Sequence, residues 1–409
     1  MIGHAAVNLD RLEADLDALA EFREPGHEGW TRRVFSDAYV RSREWLTETM
    51  REAGLDVRRD AAGNLIGTRA GVSPALVTGS HTDSVADGGR FDGPLGVLAA
   101  IEAARCIREG GIELRHELRV VDFLGEEPNE FGMSCVGSRA IAANLTRDHL
   151  ALRDASGRTL AEAITTAGGD PDHINQAAWP AGGVHAFVEL HIEQGPILEG
   201  TDTPVGIVSG IAGIERMQLA FEGVAGHAGT TPMGARHDAL AAAAEAVLAV
   251  ERVASRGDGV GTVGRIEARP GALNVIPGHV DLWAELRHTS KEWLDASRAS
   301  LEADVDAIGK RRGVKAQVNI LSRTDPVLCS DNVRAAMSEA LRQLRLRSST
   351  LPSGAGHDTV QMARLGPVGM LFVPSVGGRS HCPEELTLPA HLEAGTAALL
   401  ATLLVLDRR

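Results

Sequence analysis

The stretch GSHTDSVADGGRFDGPLG, residues 79–96, sets out the strand–loop–helix unit around which the rest of the sequence is organised. It follows the apolar run ALVTG, which predicts a strand, and leads into GVLAAIEAARCI, which predicts a helix. The loop between them holds His81, Asp83, Asp87 and Asp92. Imidazole and carboxylate groups are ligands of zinc, manganese, cobalt and nickel. Taken alone, the stretch predicts either a divalent metal site at a strand end or a polar surface loop with an Asx turn.

Strand and helix patterns alternate on both sides of this stretch. Residues 7–22 and 30–54 have helical spacing of apolar residues, and ELRVVDFLGEE and HAFVELHIEQG are apolar strands that end in acidic residues. Such a pattern predicts an α/β fold with a mostly parallel sheet. Ligand sites in such sheets lie beyond the carboxyl ends of the strands, where these acidic loops fall.

A second pattern begins after PVGIVSGIAGI, which reads as a connector out of the first domain. Residues 213–326 read as strand, helix, strand, strand, helix and strand, which predicts a small α+β domain. The remaining chain supplies a helix, the strand GMLFVP and a last helix, which we expect to return to the first sheet. We therefore predict one domain from residues 1–212 and 327–409, with residues 213–326 inserted into it.

Composition narrows the class of protein. The 409 residues carry 41 basic and 55 acidic side chains, a net charge of −14, which argues against binding to nucleic acid or to an anionic membrane. The four cysteines are widely spaced and form no CxxC pair, which is typical of reduced thiols in the cytoplasm. The N-terminus has no apolar signal core, and the longest apolar run, AALLATLLVL, is too short to span a bilayer.

The stretch GEEPNEFGMSCVGSR, residues 125–139, is a second candidate for chemistry. Glu126 and Glu127 are adjacent at a strand end, so their side chains can point to different faces. One can bind a metal while the other transfers protons to and from substrate. A solvated pair of acids is the alternative.

Two further stretches add histidines. His191 alternates with Glu189 and Glu193 along the strand ELHIEQG, and His381 follows a glycine-rich loop in GGRSHCPEE. His191 is either a ligand or a hydrogen-bonded core residue, and His381 is a further candidate ligand. Cys382 adjoins His381, but neighbouring side chains diverge, and we expect a packed thiol there.

The predicted inserted domain contributes residues of another kind. His227 lies between glycines in GHAGTTPM, Asn274 lies in ALNVIPG, and Arg287 lies in AELRH. An arginine can clamp a carboxylate through two parallel hydrogen bonds. A surface salt bridge is the alternative for Arg287.

In order along nearly the whole chain, these stretches resemble those of the di-metal amidohydrolases. That family includes N-carbamoyl-L-amino-acid hydrolases, β-ureidopropionases and allantoate amidohydrolases, and it belongs with the aminoacylase and carboxypeptidase-like metallopeptidases. The matching stretches are GSHTDSV, FDGPLG, the Glu126–Glu127 pair, ELHIEQG, GHAGTTPM, NVIPG, SGAGHD and SHCPEE. The resemblance implies a catalytic α/β domain with an inserted lid domain that also forms a homodimer.

The resemblance also implies a role for individual residues. Two divalent ions, zinc or manganese, cobalt or nickel, would share Asp92. The remaining ligands would be His81 and His191 for one ion, and Glu127 and His381 for the other. Asp83 would orient the imidazole of His81, and Glu126 would be the general base. The implied substrate groups are Gln194, His227, Asn274 and Arg287. In dimers of this family the lid histidine can come from the partner subunit.

The form of one stretch narrows the reaction. Peptidases and aminoacylases of the superfamily generally have a carboxylate at the position of His191, whereas HIEQG resembles the branch that hydrolyses ureido compounds. LPSGAGHD, PVLCSD and FDGPLGVLA are more similar to N-carbamoyl-L-amino-acid hydrolases. Hydrolysis of the carbamoyl C–N bond of an N-carbamoyl-L-amino acid is therefore the expected reaction. It would release the amino acid, carbon dioxide and ammonia.

Other functions stay open at the level of sequence. They are allantoate or N-carbamoyl-β-alanine hydrolysis, an aminoacylase or dipeptidase activity on the same metals, and a metal-dependent binding protein without catalysis. The chain also departs from the family pattern, since EEPNEF puts Pro128 in place of a glycine and Glu130 in place of a basic residue. His237 stands where an arginine is common. The departures concern the substrate pocket and leave the predicted metal ligands intact.

Overall fold

A computed structural model describes residues 6–409, which divide into two compact units. The first unit takes the described residues up to Ser209 together with Cys329–Arg409, and the second is Gly210–Leu328. The role of the second unit as a lid and dimerisation domain stays a prediction.

The described residues form fifteen strands, numbered in chain order. They are β1 Asp56–Arg59, β2 Leu65–Arg69, β3 Val72–His81, β4 His116–Phe123, β5 Val184–Ile192, β6 Val205–Ile211, β7 Gly213–Glu222, β8 Gly226–His227, β9 Val260–Arg269, β10 Val275–Ile276, β11 His279–His288, β12 Lys315–Thr324, β13 Val327–Leu328, β14 Ser348–Ser353 and β15 Val368–Val373.

Twelve α-helices accompany them in the described chain. They are α1 Leu9–Ala20, α2 Asp37–Glu52, α3 Pro94–Glu109, α4 Val136–Ile141, α5 Arg147–Leu150, α6 Leu160–Thr166, α7 Ile197–Gly200, α8 Ala239–Ala254, α9 Lys291–Arg312, α10 Asp331–Leu344, α11 Thr359–Met362 and α12 Pro389–Asp407. Short 3-10 helices lie at Pro171–Ala177, Met233–Ala235 and Val376–Gly378.

The first unit is built on a sheet with the strand order β1-β2-β4-β3-β5-β15-β6, and β14 also pairs with β6. The four central strands β4, β3, β5 and β15 run parallel, β2 pairs antiparallel with β4, and β6 pairs antiparallel with β15. The central strands are apolar and almost completely buried, as parallel strands covered on both faces must be. The predicted α/β fold with a mostly parallel sheet is confirmed. Its four parallel strands end at one edge.

Helix α12 belongs to the core of this unit. It is 19 residues long with a mean hydropathy of 1.4, so by length and composition it is long enough to cross a membrane. Two-thirds of that stretch is buried, however, and the helix packs against α3, α10 and β15. A helix that is apolar on all sides is typical of a protein core as well as of a membrane.

The second unit has a four-stranded antiparallel sheet with the order β12-β7-β11-β9 and a small β10-β8 pair. Helix α8 packs its alanines against this sheet at helical spacing, with Ala242, Ala246 and Ala249 all fully buried. Helix α9 packs beside α8 and contacts β12. The antiparallel sheet and its two helices make this unit α+β.

Two elements differ from the expectations. The helix expected over residues 30–54 begins at Asp37, because the hydroxyl of Ser36 accepts the Tyr39 N–H and caps the helix. The stretch expected to be a connector contains β6, which pairs with β15. Its glycines weaken the strand pattern, and the partner that stabilises it lies far later in the chain.

Candidate metal centre

The predicted metal ligands all lie at the carboxyl ends of the four parallel strands. His81 is the last residue of β3, His191 is the penultimate residue of β5, and Glu127 follows the end of β4. His381 lies in the loop after β15, and Asp92 lies in the loop between β3 and α3. Each parallel strand thus brings one ligand candidate to the same edge of the sheet, which is where α/β folds bind their ligands.

Asp92 is common to two groups of possible ligand atoms. In the first group, its Oδ1 lies 3.2 Å from Nε2 of His191 and 3.8 Å from Nε2 of His81. In the second group, Nε2 of His381 lies 3.3 Å from Oδ2 of Asp92 and 3.3 Å from Oε1 of Glu127. The two oxygens of Asp92 therefore face different groups, as those of a bridging carboxylate would.

Hydrogen bonds fix the tautomers of the two buried histidines. Nδ1 of His81 lies 3.0 Å from the carbonyl oxygen of Asp83, and Nδ1 of His191 lies 2.9 Å from that of Ile192. Since a carbonyl only accepts, both Nδ1 atoms carry a proton, which leaves Nε2 as the atom of each ring that can offer a lone pair to a metal.

The Nε2 atoms of His81 and His191 are buried and have no hydrogen-bond partner within residues 6–409, as expected of atoms that bind a metal. Buried polar atoms are nearly always paired, so two orphaned ring nitrogens facing a carboxylate fit a cation.

Gly93 explains why the imidazole of His81 fits here. Its backbone has a φ of +85°, and a Cβ on it would lie 2.4 Å from Cε1 of His81. A side chain at position 93 would therefore displace the ring, and only glycine adopts this φ without strain.

Asp83 joins the ends of β3 and β4. Its carboxylate accepts the backbone N–H groups of Glu126 and Glu127, at 3.2 and 3.1 Å. Oδ1 also lies 3.5 Å from Nδ1 of His81, farther than the carbonyl oxygen of Asp83 itself. The residue thus orients the imidazole mainly through its backbone and orients the glutamate pair through its carboxylate.

Glu126 lies beside both groups of ligands and belongs to neither. Its Oε2 is 3.7 Å from Nε2 of His81, and its Oε1 is 3.6 Å from the Cys135 thiol. Burial raises the pKa of Glu126 well above its ordinary value, and the charge of His81 opposes that rise.

The charge around His381 suits a cation. Hydrogen bonds to Asp92 and Glu127 raise the pKa of His381 to about 11. Burial alone would raise the pKa of Asp92, but the charge of His191 and the hydrogen bond from His381 hold it well below its usual range. The field that stabilises a proton on His381 would equally stabilise a divalent ion.

The amide of Gln194 also reaches this edge of the sheet. Its Nε2 donates to Oδ2 of Asp92 at 2.6 Å, and its Oε1 is buried without a hydrogen-bond partner in the described chain. A φ of +59° on Gln194, rare for a residue with a side chain, directs it there.

The three remaining predicted site residues lie in the second unit. His227 pairs with Val275 in the β8–β10 ladder, and the backbone carbonyl of Asn274 accepts from Ala228, so His227 and Asn274 are neighbours. Arg287 lies on β11 and donates through Nε to Oε1 of Glu285 at 2.7 Å, with its Nη2 at 2.6 Å from the same oxygen. Their contribution to the site in the first unit stays a prediction.

Two further residues lie at this centre, and no sequence pattern predicts them there. Ser380 Oγ lies 2.6 Å from Oδ2 of Asp92, and Glu385 accepts the backbone N–H groups of Phe91 and Asp92. Both lie in the quoted stretch GGRSHCPEE, but the sequence does not reveal that its second glutamate points back to the Asp92 loop.

A third group of possible ligand atoms differs from the first two, because its carboxylate is already satisfied by hydrogen bonds. It consists of Glu189, His191 and His357. Both oxygens of Glu189 accept hydroxyl protons, from Ser80 at 2.7 Å and from Thr359 at 2.6 Å. We therefore interpret Glu189 and His357 as structural residues that pack beside His191.

Comparison with known proteins identifies a family and several relatives of this chain. The model of the peptidase family M20/M25/M40 matches residues 77–405. The chain is 43% identical to an N-carbamoyl-L-amino acid amidohydrolase of Geobacillus stearothermophilus, over 96% of this chain and 97% of that protein. It is 37% identical to a ureidoglycolate hydrolase of Oryza sativa subsp. japonica (96% and 84% covered) and 35% identical to an allantoate amidohydrolase of Bacillus subtilis (94% of each).

Solved structures agree with the fold. A crystal structure of an amidase of the hydantoinase/carbamoylase family from Burkholderia multivorans superposes with a TM-score of 0.92 at 33% identity, covering 99% of both chains.

Proposed function

The chain belongs to the peptidase family M20/M25/M40 and is a hydrolase of C–N bonds other than peptide bonds, and we propose that its substrate is an N-carbamoyl-L-amino acid. The relatives support hydrolysis of a carbamoyl-type C–N bond. The observation that carries the proposal is Asp92, whose two oxygens face separate groups of metal ligands beside the uncommitted carboxyl group of Glu126.

The family is metal-dependent, and we propose two divalent ions per chain, zinc or else manganese, cobalt or nickel. His81, Asp92 and His191 would hold one ion, and Asp92, Glu127 and His381 the other. When bound, such ions acidify water and polarise the carbonyl group under attack. Imidazole nitrogens and carboxylate oxygens are suitable donors for each of these metals.

Glu126 is proposed as the general base. Because neither ligand group uses it, its carboxylate stays available to take a proton from the attacking water. The same carboxyl group then protonates the leaving nitrogen, and the released carbamate decomposes to carbon dioxide and ammonia. A buried carboxyl group with a raised pKa is suited to both steps at neutral pH.

Substrate recognition is assigned to both units. Gln194 would contact the substrate near the metals, His227 would stabilise the oxyanion, and Asn274 and Arg287 would bind the substrate carboxylate. Arg287 is already oriented by Glu285, so the substrate carboxylate would share or replace that contact. We further propose a cytoplasmic homodimer that forms through residues 213–326.

The alternatives are closely related reactions. The relatives include an allantoate amidohydrolase and a ureidoglycolate hydrolase, so allantoate, ureidoglycolate or N-carbamoyl-β-alanine could replace the proposed substrate. An aminoacylase or dipeptidase is more distant, since His191 stands where those enzymes generally have a carboxylate.

A substrate panel tests the proposal. Ammonia release would be measured on N-carbamoyl-L-amino acids, N-carbamoyl-β-alanine, allantoate and ureidoglycolate, and deacylation on N-acetyl-L-amino acids, with zinc, manganese, cobalt and nickel in turn. We expect the highest kcat/KM on N-carbamoyl-L-amino acids. A preference for allantoate or for N-acetyl substrates would contradict the assignment, and no turnover on any of them would favour a non-catalytic binding protein.

A further inference from the structure

Glu385 holds the loop that carries Asp92. Its Oε1 accepts the backbone N–H groups of Phe91 at 2.9 Å and of Asp92 at 3.1 Å. The residue is only 4% exposed, and it lies in the loop between β15 and α12 that also carries His381. One carboxylate therefore connects two ligand-bearing loops from opposite ends of the chain.

The second oxygen of Glu385 reaches the side chain of Asp92 through Ser380. Oγ of Ser380 lies 2.8 Å from Oε2 of Glu385 and 2.6 Å from Oδ2 of Asp92. A hydroxyl has one proton, so Ser380 donates to one of these carboxylates at a time. Asp92 is thus held at its backbone by Oε1, while Oε2 and the Asp92 carboxylate share the hydroxyl of Ser380.

The shape of the loop is fitted to Glu385. A Cβ on Gly89 would lie 2.1 Å from Cδ and Oε1 of Glu385, so any side chain at position 89 would collide with the carboxylate. Phe91, next to Asp92, is 1% exposed and anchors the loop in the core. The loop therefore packs directly on the carboxylate of Glu385, with no space between them for a side chain.

From this geometry we infer that Glu385 is a positioning residue for the metal centre, which fixes Asp92 between the two ion positions. The inference rests on the proposed role of Asp92 as the shared ligand. Orientation of a ligand by hydrogen bonds from the surrounding protein commonly changes metal affinity by about 10- to 100-fold. A purely structural tie between two loops would change stability and leave the affinity of the folded protein for metal unaltered.

Asp407 offers a matched control. Its carboxylate accepts two consecutive backbone N–H groups, those of Arg115 at 3.0 Å and His116 at 2.8 Å, and the residue is 7% exposed. It therefore makes the same kind of tie as Glu385, at the end of α12 and away from the ligand groups. Glu385→Ala and Asp407→Ala should lower the Tm to a similar extent.

The test is the affinity of the metal-free full-length protein for Zn²⁺, measured against a competing chelator for the wild type and each variant. We expect Glu385→Ala to bind at least one Zn²⁺ about 10- to 100-fold more weakly, and Asp407→Ala to bind within about 3-fold of the wild type. Glu385→Gln keeps an acceptor for both N–H groups and should restore most of the affinity.

Two outcomes would overturn the inference: a Glu385→Ala affinity within about 3-fold of the wild type, or an equal loss in Asp407→Ala. If Glu385→Ala does not fold, Glu385→Asp decides, because it keeps the charge and shortens the side chain by one methylene, which draws the carboxylate away from the N–H groups of Phe91 and Asp92; a several-fold weaker affinity supports the inference and an unchanged one refutes it. Failure of the proposed function is a separate result, since then the wild type itself would bind no Zn²⁺.

Discussion

Replacement of Glu126 by glutamine separates metal binding from proton transfer. The amide keeps the size of the carboxyl group but cannot take a proton from water. Loss of a general base typically costs about 10²- to 10⁴-fold in rate, which is about 3 to 5 kcal/mol of transition-state stabilisation. Because Glu126 belongs to neither group of ligands, the variant should retain its bound metal.

The substitution should not destabilise the protein. Burial raises the pKa of Glu126, which means that the ionised carboxylate is disfavoured at this position, and a neutral amide removes that cost. The Tm of the metal-free Glu126→Gln variant should therefore equal or exceed that of the wild type. A loss of activity would then reflect the chemistry of one group.

The assay is the kcat for ammonia release from an N-carbamoyl-L-amino acid, with metal content measured on the same preparation. Glu127→Gln is the matched comparison, because the adjacent carboxylate lies 3.3 Å from His381 and belongs to a ligand group. That variant should lose metal together with activity. A kcat for Glu126→Gln within tenfold of the wild type, or metal loss equal to that of Glu127→Gln, would refute the role of Glu126.

Three further predictions follow from single contacts. Gly93→Ala should weaken Zn²⁺ binding in a chelator competition, because its Cβ would displace the His81 ring and a side chain on a backbone with φ +85° and ψ −57° adds about 1–3 kcal/mol of strain; unchanged affinity would contradict this. Arg287→Lys should raise KM about tenfold or more, because the lost hydrogen bonding to the substrate carboxylate is worth ~1.5–3 kcal/mol. Turnover of a carboxylate-free N-alkylurea should stay the same, and an unaltered KM would remove Arg287 from the site. Burial raises the pKa of Cys106 to about 12 and that of Cys329 to about 11, so at pH 8 both stay protonated and should react with a thiol reagent only after unfolding.

The fold was predictable from the sequence because its strands and helices carry strong apolar patterns. The α/β class and the resemblance to the amidohydrolases are both confirmed. The sequence does not predict strands β6 and β14. Each pairs with a segment that is distant in the chain, and its own residues show only a weak strand pattern. Amphipathic spacing predicts helix from residue 30 onward, because such spacing does not reveal where a cap such as Ser36 starts the helix.

The sequence predicts the candidate site only through residue types that can bind metals or transfer protons. Histidines, aspartates and glutamates at strand ends are visible in a sequence, and the structure brings His81, Asp92 and His191 together with the second group. The contacts that orient them were not visible. Glu385 reaches the backbone of Phe91 and Asp92 across 294 and 293 positions, and no spacing rule connects such distant residues.

The number of metal ions per chain tests the central claim most directly. Metal-free protein would be titrated with Zn²⁺, and bound metal would be counted by elemental analysis for the wild type and for His381→Ala, which removes a ligand from one group only. We predict two ions per chain in the wild type and one in His381→Ala, held by His81, Asp92 and His191. One ion per chain in the wild type, or the loss of both ions in the variant, would contradict a pair of sites that share Asp92.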